Sequence, residues 1–358
     1  MMRRMDQRAG LGDVIAATFA AWARWPSTYE TLLERERSMY ETADPQEIAR
    51  LIGAFCVAHL GAGIDASVFY ASSQGGASGI VLADGRRVVV KAHAPTWARA
   101  ALDAVYRTQR ALAARQFPCP RPLLAPTRLG RGYATVEELI DEGGDADGHR
   151  PAIRRALAET LARLVASARD LRDTAGLRPA LLTALPPDVL WPTPHSPIFD
   201  LERTAAGAAW IDRLAAEARE MLARGVGAVI IGHTDWGVQN CRFVGDALRV
   251  VYDWDSLARD KETTIVAHAA TNFPFNWSLP EPPTGPSADE ARAFIEEYEA
   301  VRGVPFNDEE RVGMAAAATY ALAYSARLEH SLYPEIADFP VDTARARLAQ
   351  YGNAFLRW

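Results

Sequence analysis

From residue 64 to residue 93 the chain gives up helical periodicity. Just upstream, Ile48, Leu51, Ile52 and Phe55 recur at helical spacing and predict a helix over residues 46–59, stopped by Gly61 and Gly63. The runs IDASVFYAS, SGIVLADG and RRVVVKAH follow, short, rich in β-branched residues and separated by glycine-bearing turns. Connections this short join antiparallel neighbours, and Ala83-Asp84-Gly85 is a good hairpin turn. A helical stretch over residues 96–116 ends at FPCPRPL, and two more strand-like runs lie at 123–129 and 133–139. The fold class is therefore α+β, with an antiparallel sheet of five strands and one packed helix in the first part of the chain.

Beyond the polar, glycine-containing stretch 141–148 the pattern is mostly helical, most clearly over 151–172 and 203–224. Between these, the six prolines of residues 179–197 exclude a regular element and predict a long ordered loop. A block at 227–257 breaks the helical pattern once more, with strand-like runs at 228–231 and 247–252 around a polar loop. At the other end, residues 13–60 read as helices broken at Pro26 and Pro45. The expected division is a helical extension over 1–44, a sheet lobe over 45–140 and a larger helical lobe over 141–358.

The apolar stretch 14–23 follows Arg3 and Arg4 and mimics a targeting signal. Asp6 and Asp13 interrupt its approach, and ten residues closed by Arg24 are too few to span a bilayer, so a packed helix is expected. No other run is long enough, and no membrane partner is expected. With 358 residues, 49% of them apolar, and a net charge of −6, the composition fits a soluble globular protein and argues against a nucleic-acid partner. Cys56, Cys119 and Cys241 are odd in number and widely spaced, which indicates neither a disulfide framework nor a zinc site and fits a reducing cytoplasm. Only Lys91 and Lys261 among the 39 basic side chains are lysines, so a retained lysine invites a chemical reason.

The polar loop of the 227–257 block carries the chemistry. His233, Asp235 and Asn240 form H-x-D-x-x-x-x-N, and Asp253 closes the apolar run RVVYD. A loop after a strand can offer Asp235 to a substrate hydroxyl, while Asn240 and Asp253 supply hard oxygen ligands for Mg²⁺, which is what phosphoryl transfer needs. Lys91, after Val88-Val89-Val90, completes the lysine, catalytic-loop and metal-aspartate signature of kinases.

On these residues the chain resembles the aminoglycoside phosphotransferase-type small-molecule kinases, within the protein-kinase-like fold that also includes choline kinases. Thr234 stands where protein kinases usually have Arg, Asp253-Trp254-Asp255 replaces Asp-Phe-Gly, and no Ala-Pro-Glu follows. The likeness extends over about residues 45–330. It implies a two-lobed kinase that moves the γ-phosphoryl group of ATP, or GTP, with Mg²⁺ onto a small-molecule hydroxyl, such as that of an aminoglycoside or related antibiotic. A non-catalytic nucleotide-binding protein, or a kinase of another metabolite, is the alternative.

By that resemblance Asp235 orients or deprotonates the acceptor hydroxyl, and Asn240 and Asp253 bind Mg²⁺. Lys91 contacts the α- and β-phosphates, the loop with Ser72, Ser73, Gly75 and Gly76 covers them, and the backbone at Glu137, Glu138 and Leu139 holds the base. The two glycines equally suit a plain hairpin turn. His233 is expected to brace the loop, Trp236 and Trp254 to pack or to stack on substrate, and Asp255 to serve the metal or the structure. The fold normally pairs its lysine with a helix glutamate, yet no Glu occurs over 96–118, which leaves Gln109 or Asp103 to hold Lys91. Residues 257–358 carry 15 acidic against 9 basic side chains, an excess that suits a cationic acceptor or simply solvated helix faces. Phe273, Phe275 and Trp277 add an argument for an apolar acceptor surface.

Overall fold

A computed structural model describes residues 9–23, 26–72, 75–172, 174–180, 184–194, 196, 198–276, 284–336 and 340–358. Three helices come first, α1 (Leu11–Trp22), α2 (Pro26–Tyr40) and α3 (Pro45–Leu60). Pro45 opens its helix rather than breaking one, since a first-turn residue has no amide partner to lose. Asp44 caps α3 by accepting from the Glu47 amide at 2.8 Å, and Gly61 ends it in a left-handed conformation at φ +75°.

Strands β1 (Ile64–Ser72), β2 (Gly75–Leu82) and β3 (Arg87–His93) form the expected meander, followed by α4 (Arg99–Ala114), β4 (Pro122–Leu129) and β5 (Gly132–Glu138). They make one five-stranded antiparallel sheet in the order β1-β2-β3-β5-β4. Gly85, at φ +85°, makes the β2–β3 turn. Gly75 and Gly76 lie inside β2, paired with His93 and Ala92. A Cβ on Gly75 would come within 2.4 Å of the Ala92 carbonyl oxygen, and one on Gly76 within 2.5 Å of the Tyr40 hydroxyl. Close packing of strand and helix therefore accounts for both glycines. The sheet shares its core with the N-terminal helices: Leu11, Ile15, Phe19, Ile48 and Ile52 are buried with Ile80, Val88, Val90 and Val136. The stretch that mimics a signal is thus a packed helix in this structure.

The second half contains α5 (Pro151–Ala168), α6 (Ala209–Arg224), β6 (Val229–His233), β7 (Cys241–Val244), β8 (Ala247–Val251) and β9 (Leu257–Lys261). It continues with α7 (Glu262–Asn272), α8 (Ala288–Arg302), α9 (Asp308–Leu332) and α10 (Ala344–Tyr351). Here β6 pairs with β9 and β7 with β8, so four strands stand where two were expected. The additional strands, CRFV and LARDK, are too short and too charged to show a period-two pattern. The described residues of the proline-rich segment are irregular and are pinned to the helices. Trp191 stacks on Tyr320 at 5.6 Å and donates its indole N–H to Asp212 at 2.8 Å.

The larger core joins α5, α7, α8 and α9 and also takes in Ala104, Val105 and Leu112 of α4. Helix α4 therefore packs against both lobes. Among the described residues no helix is long and apolar enough to cross a membrane. All three cysteines are free and buried.

Candidate active site

Strand β6 delivers His233 to the start of the polar loop, where its ring is fixed from both sides. The Asp235 amide donates to Nδ1 at 3.2 Å, so Nε2 carries the proton and donates to the Tyr252 carbonyl at 3.0 Å. Burial keeps this imidazole below its usual range. His233 thus occupies the bracing position expected of it. Thr234 ties the loop to the second acidic turn, with both its amide and its hydroxyl donating to the Ser256 carbonyl at 3.0 Å. An arginine there would offer no such compact double bond.

The Asp235 carboxylate is held at both oxygens. Asn240 Nδ2 donates to Oδ2 at 2.7 Å and to the Asp235 carbonyl at 2.8 Å, while Gln239 Nε2 donates to Oδ1 at 3.0 Å. Gln239 was not singled out in the sequence, because a glutamine beside a motif asparagine carries no pattern of its own. With its amide nitrogen spent, Asn240 has its carbonyl oxygen left for a cation.

Asp253 sits at φ 61°, ψ 48°, a left-handed conformation rare outside glycine, and such strain concentrates at functional sites. Its Oδ2 accepts from Ser256 Oγ at 2.9 Å. Lys91 Nζ lies 3.3 Å from Asp255 Oδ1, 3.6 Å from Glu137 Oε1 and 3.9 Å from Asp253 Oδ1. Burial alone would lower Lys91, yet Glu137, Asp255 and Asp253 together hold its ammonium above the usual lysine range. Withdrawal from water, and then Asp255, push Asp253 upward. Burial would raise Asp255 too, but Lys91 and then His93 keep it below the usual carboxylate range.

The partner of Lys91 is a correction to the sequence reading. Gln109 Nε2 donates to Glu137 Oε2 at 2.8 Å and to the Pro120 carbonyl at 3.0 Å, and Asp103 pairs with Arg99 at 3.6 Å. Neither is paired with the lysine. The counter-charge comes from β5 instead: Lys91 faces Thr135 in the sheet register, and Glu137, two residues on, shares its face.

The remaining expected residues divide. Glu138 points away to Arg121 at 2.5 Å, and the amides of Glu138 and Leu139 donate to the carbonyls of Arg121 and Arg87, each at 3.0 Å. These two amides are already engaged within the protein. Ser72 Oγ donates to the buried Glu36 at 2.5 Å and accepts from Arg35 at 2.9 Å, so it is committed to α2. Ser73 and Trp277 lie outside the described residues. Trp236 and Trp254 are buried and donate to the carbonyls of Leu157 and Val251, which favours packing over substrate stacking. Phe273 and Phe275 are core residues as well.

Among the described residues no group of three His, Cys, Asp or Glu side chains stands ready to hold a metal alone. Asn240 and Asp253 nevertheless offer hard oxygens, and the Tyr252 amide, one residue before Asp253, donates to the Asn240 main-chain carbonyl at 2.8 Å. Two protein oxygens completed by phosphate and water suit Mg²⁺, which keeps much of its own hydration. The donor set fits that ion.

A family model described as the phosphotransferase enzyme family matches residues 61–304. The chain belongs to that family. No curated protein matches this phosphotransferase by sequence. Among solved structures, amicoumacin kinase hAmiN in complex with AMP-PNP, Ca²⁺ and Ami is 12% identical, covers 81% of this chain and 87% of its own, and has a TM-score of 0.56. A choline/ethanolamine kinase family protein from Mesorhizobium loti is 15% identical, with 87% and 95% covered and a TM-score of 0.53. A spectinomycin phosphotransferase in complex with ADP and spectinomycin is 12% identical, with 86% and 93% covered and a TM-score of 0.50. The phosphotransferase thus has the protein-kinase-like fold, with an antiparallel sheet in one lobe and helices in the other.

Proposed function

We propose that this phosphotransferase moves the γ-phosphoryl group of ATP or GTP onto a hydroxyl of a small molecule. The observation that carries the reading is the restraint of Asp235. Both its oxygens are held by amide donors on one short loop, which aims a carboxylate at one position and keeps it an acceptor for a hydroxyl proton. Asn240 and Asp253 would hold Mg²⁺, which when bound neutralises charge on the bridging phosphates. Lys91, released from Asp255 by a better anion, would meet the α- and β-phosphates while Glu137 keeps it in place. A non-catalytic reading is disfavoured, since Asp235, Asn240 and Asp253 are all present, Asn240 is bonded to Asp235, and the Asp235 charge acts on Asp253.

Part of the acidic excess of the C-terminal part is spent on the fold and not on an acceptor. Glu262 pairs with Arg302, Glu297 with Arg154, Glu299 with Arg311 and Glu290 with His149, while Glu329 caps the amides of Ala344 and Arg345. These charges serve the fold. An antibiotic hydroxyl, as in the ligand-bound neighbours, remains the first acceptor class to test, and the buried free thiols fit a reducing, cytoplasmic setting.

The test is transfer of labelled γ-phosphate from ATP and from GTP across a panel of hydroxyl compounds, with Asp235→Asn as the blank. Transfer by the native protein and none by the variant is expected. Equal label in both would overturn the reading.

A further inference from the structure

Nine of the eleven residues of α7 are buried, and the two that are not, His268 and Asn272, lie one turn apart on one face. That face borders the candidate catalytic loop. Gly232 packs so closely on α7 that a Cβ there would stand 2.5 Å from Ile265, and six residues later the Val238 amide donates to the Phe273 carbonyl at 2.9 Å. Helix and loop therefore run side by side in the same direction. Three residues on from Ile265 and three from Gly232, His268 comes level with Asp235, and the Asp235 charge acts on its ring.

These two half-buried residues differ in what they have left to give. Asn272 is committed: its Nδ2 donates to the His268 carbonyl at 2.9 Å and its Oδ1 accepts from Ser325 at 3.2 Å. The His268 ring has no hydrogen-bond partner among the described residues. Burial pushes it down to about 4, so at neutral pH it is uncharged and offers one N–H donor and one lone pair. Such a ring binds neither a phosphate as a cation nor an ammonium as an anion. It matches a neutral polar substituent.

We infer that His268 is a specificity-determining residue of the acceptor site, hydrogen-bonding a second hydroxyl next to the hydroxyl that Asp235 orients. The acceptor is then a ring compound with adjacent polar substituents, such as a sugar or aminocyclitol, and not a simple amino alcohol. A quaternary ammonium has no N–H to give and no lone pair to accept with, so it makes no hydrogen bond to this ring. This inference rests on the phosphotransfer reading.

The experiment compares native protein with His268→Ala and His268→Asn, using spectinomycin and further aminocyclitols and hexoses as one group of acceptors and choline and ethanolamine as the other. The native protein is expected to use a member of the first group. His268→Ala should raise its acceptor KM at least tenfold with a smaller change in kcat, and His268→Asn, which keeps a donor and an acceptor, should recover part of the loss. Nucleotide affinity, titrated without acceptor, should stay within twofold in both variants. An unchanged acceptor KM in His268→Ala, or a native preference for choline or ethanolamine, overturns this inference alone. No transfer to any compound overturns it together with the phosphotransfer reading.

Discussion

Glu137 joins Lys91 to a helix that carries no acidic residue able to reach it: one carboxylate oxygen lies 3.6 Å from the ammonium and the other accepts from Gln109 of α4 at 2.8 Å. The ion pair is made between neighbouring strands, and the helix holds it by a neutral amide. The usual helix-to-lysine charge is relocated rather than lost.

A carboxylate at position 109 would therefore face Glu137 and not Lys91. Both groups are buried, with Gln109 5% and Glu137 6% exposed, so two carboxylates would meet where one amide donor now serves. Gln109→Glu is expected to lower stability by about 1–3 kcal/mol at pH 8 through loss of that bond and unpaired burial. The loss should shrink as the pH is lowered and one carboxyl takes up a proton. Chemical unfolding at pH 8 and pH 5 measures it, and a variant as stable as the native protein at pH 8 would contradict the geometry.

Lys91→Arg should impair transfer at least tenfold, ~1.4 kcal/mol in transition-state terms. The ammonium sits among three carboxylates with 16% of its side chain exposed, a space for a compact charge and not for a planar fork. Circular dichroism should show a native fold. A wild-type rate would remove Lys91 from the active site.

Asp235→Asn should lower kcat by ~10²–10⁴-fold with nucleotide affinity nearly intact, because the carboxylate acts on the acceptor proton. Asp253→Asn should in addition weaken Mg²⁺-dependent nucleotide binding, since it removes a metal ligand. Isothermal titration with and without Mg²⁺ separates the two. Small and equal effects would favour a binding protein.

Acid should destabilise the sheet lobe through His93. Burial pushes this ring from the usual 6.5 down to about 4, and Nε2 lies 2.9 Å from the Thr135 hydroxyl. The unfolded state takes up the proton first, so the stability is fully present above pH 6.5 and is lost as the pH falls from 6.5 towards 4. The contribution is on the order of 3 kcal/mol. Denaturant unfolding across that window should show the decline, and His93→Asn should flatten it; identical slopes would assign the effect elsewhere.

The sequence discloses the sheet lobe well because glycine turns and β-branched runs are local signals, and Ile80, Val88, Val89 and Val90 of those runs are all buried. It discloses Asp235, Asn240 and Asp253 because they share one loop and the strands beside it. Glu137 escaped as the lysine's partner because strand pairing, not sequence distance, sets it beside Lys91. His268 escaped because a lone histidine on an apolar helix looks like any core residue until the loop beside it is in place. The added strands β7 and β9 were hidden for a related reason: each is only four or five residues long and is defined by its partner.

The family match begins at residue 61 and ends at residue 304, and neither limit is a place where the protein can be cut. Ile48 and Ile52 of α3 lie before the first, and Met314, Ala318 and Leu322 of α9 lie after the second, all buried in the two cores. A fragment trimmed to the match would carry the candidate catalytic groups on a body stripped of an inner wall at each end. Inheritance of the chemistry and completeness of the folding unit thus have different borders in this chain, and expression must respect the second.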